Sequence, residues 1–200
     1  GVPFHALENY LNKLLEEGFK VAICNQLETP EEAKKRDGYK AVVRRDVTRI
    51  ITPGTIIEEN LLEPGLPSYL VSIAVNGQSA SLGVIDLSTS EFYSIKIQTE
   101  DIVNELSRLK PKEILLAEKF RSSTLAQQIG TVLDMRITFQ VDSFFAKNKC
   151  IKNILDFYNI TSTKAIGEID EIEEISIGAL LEYISITQKE KLPKLEYPKV

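Results

Sequence analysis

The hydrophobic and polar positions fall into two patterned regions, separated by a stretch rich in proline and glycine. In the first region, leucines recur at helical spacing from Leu7 to Leu15, and Gly18 follows as a typical helix stop. Thr29, with Glu32 three residues later, is typical of a capping box that opens a helix. The pattern predicts helices over 6–16 and 29–38 and strands over 19–24 and 41–52.

The second region begins with three runs rich in β-branched and aromatic residues. They are joined at Asn76-Gly77 and Ser88-Thr89-Ser90, which are turn sequences typical of hairpins. The order βββαβαβα that follows is that of the ribonuclease-H-like fold, an α/β fold with a mixed sheet and helices on both faces. The predicted strands are 69–75, 81–87, 91–97, 113–117 and 136–141, and the helices are 99–109, 123–129 (closed by Gly130) and 142–158.

Domain boundaries follow the same pattern. Prolines and a glycine mark 63–68 as a linker. Residues 1–62 are predicted to form a partial α/β domain and residues 69–165 the ribonuclease-H-like domain. Residues 166–200 are predicted to hold an acidic connection and a long amphipathic helix over 175–189 that leads out of it.

Composition narrows the possible chemistry. Of the 200 residues, 43% are hydrophobic and 26% charged, as in ordinary folded proteins, and the net charge of −5 excludes a uniformly basic nucleic-acid binder. No membrane-length apolar run and no Walker-type loop are present. One histidine and two cysteines favour neither a metal site nor a histidine-based nucleophile. Without an export signal or initiator Met, we expect a cytoplasmic piece of a longer protein with reduced thiols.

The segment from Lys34 to Arg49 is basic in an otherwise acidic chain. It holds seven lysine and arginine residues against two aspartates. Such contrast is typical of phosphate contacts and allows a general nucleic-acid-binding module. A solvated charged surface explains the same composition.

Two further constellations have competing interpretations. Asp86, with Glu113 and Asp142, is a candidate carboxylate set for a metal-dependent nuclease of the ribonuclease H type, although Asp86 alone could cap its hairpin turn. Phe144 and Phe145, near Lys147, are candidates for an exposed partner anchor. Packing of at least one phenylalanine into the core is the simpler explanation.

Several sequence blocks resemble the MutS family of DNA mismatch repair proteins. The start is similar to the family's GxPxHAxExYL stretch, and residues 44–55 resemble its KRxVxRxxTPGT block. Asn25 stands where the family has an acidic residue, and Ser90 where it commonly has glycine, which makes the hairpin turn less favourable. Further similar blocks lie at 21–26, 86–92, 111–115, 178–183 and 187–189.

The resemblance implies a fold and a role. Residues 1–62 would be the C-terminal half of the mismatch-binding domain, and 69–165 the connector domain, which in the family is ribonuclease-H-like without nuclease activity. The parent would be a homodimer that clamps mismatched double-stranded DNA, uses ATP and Mg²⁺, and docks MutL through the connector. The wedge phenylalanine would precede Gly1 and the ATPase domain would follow Val200, so this piece is expected to need no cofactor and to catalyse nothing.

The resemblance also implies contact residues. Internal ion pairs of the arginines with Glu31, Glu32 or Asp46 remain an alternative to DNA binding. The connector segment after Asp142 is the expected MutL-docking region. The DNA-contact candidates are Arg44, Arg45, Arg49, Lys40, His5 and Asn9, and the partner-contact candidates are Phe144, Phe145, Ala146 and Lys147.

Overall fold

The first unit is a small α/β layer. The computed structural model describes residues 2, 6–58, 61–189 and 192–199. Strands β1 (Val21–Gln26) and β2 (Arg45–Ile51) are antiparallel, and leucines of helix α1 (Leu7–Glu16) pack with Ile51 to form a small core. Thr29 Oγ1 accepts from the Glu32 amide at 3.2 Å, and the Glu32 carboxylate accepts from the Thr29 amide, so the predicted capping box is present. Helix α2 spans Pro30–Asp37.

The second unit is built on a five-stranded mixed sheet. Its strands are numbered in chain order from β3 (Tyr69–Asn76) through β4 (Ser79–Asp86), β5 (Glu91–Gln98) and β6 (Glu113–Ala117) to β7 (Ile137–Gln140). Their order in the sheet is β5-β4-β3-β6-β7, in which β5, β4 and β3 are antiparallel and β6 and β7 run parallel to β3. This is the ribonuclease-H-like arrangement that the element order predicts. The helices are α3 (Ile102–Leu109), α4 (Thr124–Gln127), α5 (Lys147–Tyr158) and α6 (Glu171–Thr187).

Side chains that alternate along the sheet fill two separate cores. Leu70 and Leu115 face α5 and α6 on one side, whereas Val71 and Ile114 face α3 and α4 on the other. Strands buried on both faces read as continuous apolar runs, which explains why β6 is wholly buried. The prediction of helices on both faces is confirmed.

Helix α6 differs from the predicted amphipathic helix. It begins four residues earlier, because Asp170 caps the amides of Ile172 and Glu173, so much of the predicted acidic connection is its first turn. It is buried on most sides, between α5 and strands β3 to β5. Gly178 makes this contact close: a Cβ there would lie 2.4 Å from the Cys150 carbonyl oxygen.

Three other local predictions were wrong. The second strand begins at Arg45, because residues 38–44 form a loop. Gly130 lies inside a π-helical turn over Gln128–Val132 and does not end a helix. The helix predicted over 142–158 is split into a 3-10 turn at Asp142–Phe145 and the separate helix α5.

The two units meet at a buried carboxylate, that of Glu113, which is 1% exposed. Its Oε2 accepts from Thr52 Oγ1 at 2.5 Å and from the Gly54 amide at 3.1 Å, both in the first unit. Its Oε1 accepts from Thr138 Oγ1 at 2.5 Å and from the Tyr183 hydroxyl at 2.8 Å, both in the second. Gly54 is required here, because a Cβ would lie 2.9 Å from the Glu113 Cβ. The TPGT turn is therefore fitted to the start of β6.

The segment after α6 returns to the sheet. Lys199 forms a parallel bridge with Tyr93 of β5, and its amide donates to the Phe92 carbonyl at 3.0 Å. The Tyr158 hydroxyl donates to the Glu196 carbonyl at 2.8 Å, which holds the same segment against α5. Residues 192–199 thus cover part of the outer edge of β5.

Candidate functional site

Arg44 and Arg45 stand at the beginning of β2 with their side chains in solvent. Neither guanidinium forms an ion pair within the part of the chain that the structure describes. Lys40 is also exposed in the loop that precedes them. None of these three cations would have to break an ion pair with a described residue to contact a phosphate.

Arg49 is placed differently. Its Nη1 and Nη2 donate to the two Glu58 carboxylate oxygens, at 2.5 and 3.2 Å, in a bidentate pair. Paired and half-buried, it is not available as the predicted phosphate ligand unless this pair breaks. Its partner is not one of the three acids considered from the sequence. Glu58 follows the TPGT turn, and only the folded chain shows that this turn brings it back to β2.

The helix α1 side of the predicted interface is only partly described. His5 lies outside the described residues. Asn9 is exposed on α1. A groove of about 620 Å³ runs between α1 and β1, and Tyr10 and Arg45 both line it. Asn9 lies on the helix that forms one wall of this groove, although its side chain does not line it.

The three candidate nuclease carboxylates serve other purposes. Asp86 Oδ1 accepts from the Ser88 amide at 2.9 Å and from its hydroxyl at 2.6 Å, and Oδ2 accepts from the Ser68 amide at 2.9 Å. Asp86 therefore caps its turn, as the simpler interpretation has it. Asp142 follows β7, at the other end of the sheet, and accepts from the Lys119 amide. No group of three metal-ligating side chains occurs among the described residues, and Glu113 is committed to the joint between the units.

The partner-contact candidates divide into buried and exposed residues. Phe144 is 3% exposed and belongs to the core beneath α5 and α6, so the structure contradicts its accessibility to a partner. Phe145 is half-buried and lines a cavity of about 250 Å³ beside Phe120. Ala146 and Lys147 are exposed, and Lys147 Nζ lies 2.7 Å from the Glu171 carboxylate, whose hydrogen bond raises the lysine pKa.

Comparison with known proteins finds a separate family model for each of the two units of the fold. Residues 1–60 match the family model described as MutS domain I, and residues 68–196 match that of MutS domain II. The chain belongs to the MutS family. Proteins described as DNA mismatch repair protein MutS from Rickettsia felis and Rickettsia rickettsii (strain Sheila Smith) are 60% identical over the whole chain. The Rickettsia prowazekii protein is 59% identical.

The MutS-family chain spans 23% of the length of these curated relatives. Among solved structures, the large terminase nuclease from thermophilic phage G20c superposes on it with a TM-score of 0.40 and 12% identity, over 68% of this chain and 88% of that one. A superposition this loose supports no argument about activity. Among the described helices, none has the length and apolarity to cross a membrane.

Proposed function

We propose that this MutS-family chain contributes DNA-backbone contacts to a protein that repairs mismatched double-stranded DNA. The observation that carries the proposal is the pair of exposed guanidiniums, Arg44 and Arg45, which have no ion-pair partner among the described residues. Arginines neutralise backbone phosphates and release counterions, which favours binding. Lys40 and Asn9 extend the same contact, and Arg49 with Glu58 shapes the strand that presents it.

The chain acts in this proposal as a non-catalytic part of its parent. The candidate carboxylates are engaged in structural hydrogen bonds. The sequence offers no phosphate-binding glycine loop, so the ATP and Mg²⁺ used by the parent would bind elsewhere in it, and the parent would clamp DNA as a homodimer. Free thiols at Cys24 and Cys150 favour the cytoplasm.

The experiment is a titration of fluorescent duplex DNA by anisotropy at several salt concentrations. The double variant Arg44→Ala/Arg45→Ala should bind more weakly, and its plot of log K against log salt should be shallower by about 2, one for each lost phosphate contact. The matched control, Arg108→Ala/Arg121→Ala, removes two exposed arginines of the second unit. Equal losses in both double variants would show that only total charge matters and would refute the assigned site.

A second candidate role is docking of MutL by the connector. Phe145, Ala146 and Lys147 present an apolar surface beside a cation at the mouth of the 250 Å³ cavity, a combination typical of interface anchors. Binding to the MutL N-terminal ATPase domain should be lost in Phe145→Ala and Lys147→Glu. Lys164→Glu, which makes the same charge change elsewhere in the domain, is the control. Binding that survives both substitutions would refute this surface.

A further inference from the structure

The loop over 38–44 is held at its base by one carboxylate. Arg36 Nη1 donates to both Glu28 oxygens, at 2.7 and 3.0 Å, and the Arg44 amide donates to Glu28 Oε1 at 2.8 Å. Arg36 Nη2 also donates to the Val42 carbonyl at 3.1 Å. Glu28 and Arg36 thus brace both ends of this segment, which we name the braced loop. Its tip is fixed in position by these bonds and not by burial.

The braced loop presents its apolar side chains to solvent. Tyr39 is 91% exposed and Val42 is 76% exposed. Aromatic rings are normally buried, and one that a fold holds in water is a candidate contact residue. Lys34 Nζ lies 3.6 Å from the centroid of the Tyr39 ring, so one ring face is covered by a cation and the other is open.

The surroundings of this ring are strongly positive. Lys34 and Lys35 lie in the last turn of helix α2, Lys40 follows Tyr39, and Arg44 ends the loop just before Arg45 begins β2. Asp37, the one acid between Lys34 and Arg45 in the sequence, is hydrogen-bonded to Arg36 Nε at 2.7 Å. An aromatic ring set among cations complements a polyanion that exposes C–H groups of its sugars between phosphates, which describes the sugar–phosphate backbone of nucleic acid.

We propose that the braced loop is a DNA-contact element, in which Tyr39 packs its open face against the backbone of duplex DNA while Lys34 and Lys40 contact the adjacent phosphates. This inference rests on the proposed function, since the duplex is the same one that Arg44 and Arg45 contact. It adds an aromatic contact to an interface of cationic and polar side chains. Glu28 acts as a positioning residue, because it sets the loop through Arg36.

The test is anisotropy titration of the chain with a fluorescent homoduplex across a salt series. Tyr39→Ala should weaken binding about fivefold at every salt concentration without changing the salt slope, because the lost contact carries no charge. Tyr39→Phe keeps the ring and should bind DNA as tightly as the unsubstituted chain does. Phe19→Ala is the matched control, since Phe19 is also exposed but lies beyond the opposite end of β1 from Arg45. The thermal midpoint of Tyr39→Ala should be unchanged, which separates loss of contact from loss of fold.

The outcomes distinguish this inference from the proposed function. If Tyr39→Ala binds as tightly as the unsubstituted chain while Arg44→Ala/Arg45→Ala does not, the loop contact is refuted and the arginine contact stands. If the unsubstituted chain shows no salt-dependent binding of DNA, the loop contact and the arginine contact are both refuted. If polyglutamate displaces the duplex and depends equally on Tyr39, the loop recognises acidic chains in general and its assignment to duplex DNA is refuted.

Discussion

Removing the Glu113 carboxylate should weaken the joint between the two units and lower the stability of the chain. In Glu113→Ala, Thr52, Gly54, Thr138 and Tyr183 lose a shared acceptor in a site that excludes water. A buried hydrogen bond to a carboxylate contributes about 1.5–3 kcal/mol, but such bonds are not additive within one network. One of the donors has an alternative, since Thr52 Oγ1 lies 2.9 Å from Thr55 Oγ1, whereas Lys20 donates to the Tyr183 hydroxyl and cannot accept from it. We therefore expect a loss of about 3–5 kcal/mol in the free energy of unfolding.

Glu113→Gln should be milder for a geometric reason. The amide nitrogen can point toward Thr138 and Tyr183, whose hydroxyls rotate to accept, while the remaining oxygen faces the Gly54 amide, which can only donate. The expected loss is about 1–2 kcal/mol.

Urea denaturation followed by far-UV circular dichroism measures these free energies. Glu118→Ala is the control, because Glu118 pairs with Arg121 at the surface, where both side chains are about half exposed, and this variant should leave the free energy of unfolding nearly unchanged. A Glu113→Ala variant no less stable than Glu118→Ala would refute the joint. So would Glu113→Gln and Glu113→Ala of equal stability, since the argument depends on the acceptor that Gln retains.

Three other predictions concern single positions. Ser90 has a φ of 62°, so Ser90→Gly should raise the free energy of unfolding by about 0.5–1 kcal/mol; a decrease on urea denaturation would contradict the strain. Gly178→Ala should lower it by about 1–3 kcal/mol, because the added carbon meets the Cys150 backbone; unchanged stability would mean that α5 and α6 move apart at no cost. Iodoacetamide should modify exposed Cys24 first, since burial raises the pKa of Cys150 to about 12; mass spectrometry showing equal rates in the folded chain would contradict this.

Local patterns predicted most of the elements, and long-range contacts explain what they missed. The capping box at Thr29 and the strand over Glu113–Ala117 were correct, because each depends on neighbouring residues. The start of α6 was misplaced, since its acidic first turn reads as a connection until the Asp170 cap is seen.

In the candidate site, too, local patterns predicted some features and long-range contacts determine the others. The exposure of Arg44 and Arg45 agrees with their place in a basic run of the sequence, whereas the pairing of Arg49 with Glu58 depends on how the TPGT turn folds back. Glu113 drew attention only as a nuclease carboxylate. Its donors come from positions 25 to 70 residues away, and no local pattern reports such distances. Tyr39 carried a visible signal, an aromatic residue within a run of cations.

The segment over 192–199, which is bonded to β5, also protects the edge of the sheet from pairing with strands of other molecules. An uncovered edge strand offers free amides and carbonyls to any other strand. Here β7 is only four residues long, while the eight-residue β5 has its Phe92 and Ser94 backbone groups bonded to Lys199. Displacing this segment would uncover the longer edge, so we expect resistance to aggregation to depend on a segment that lies outside the regular helices and strands.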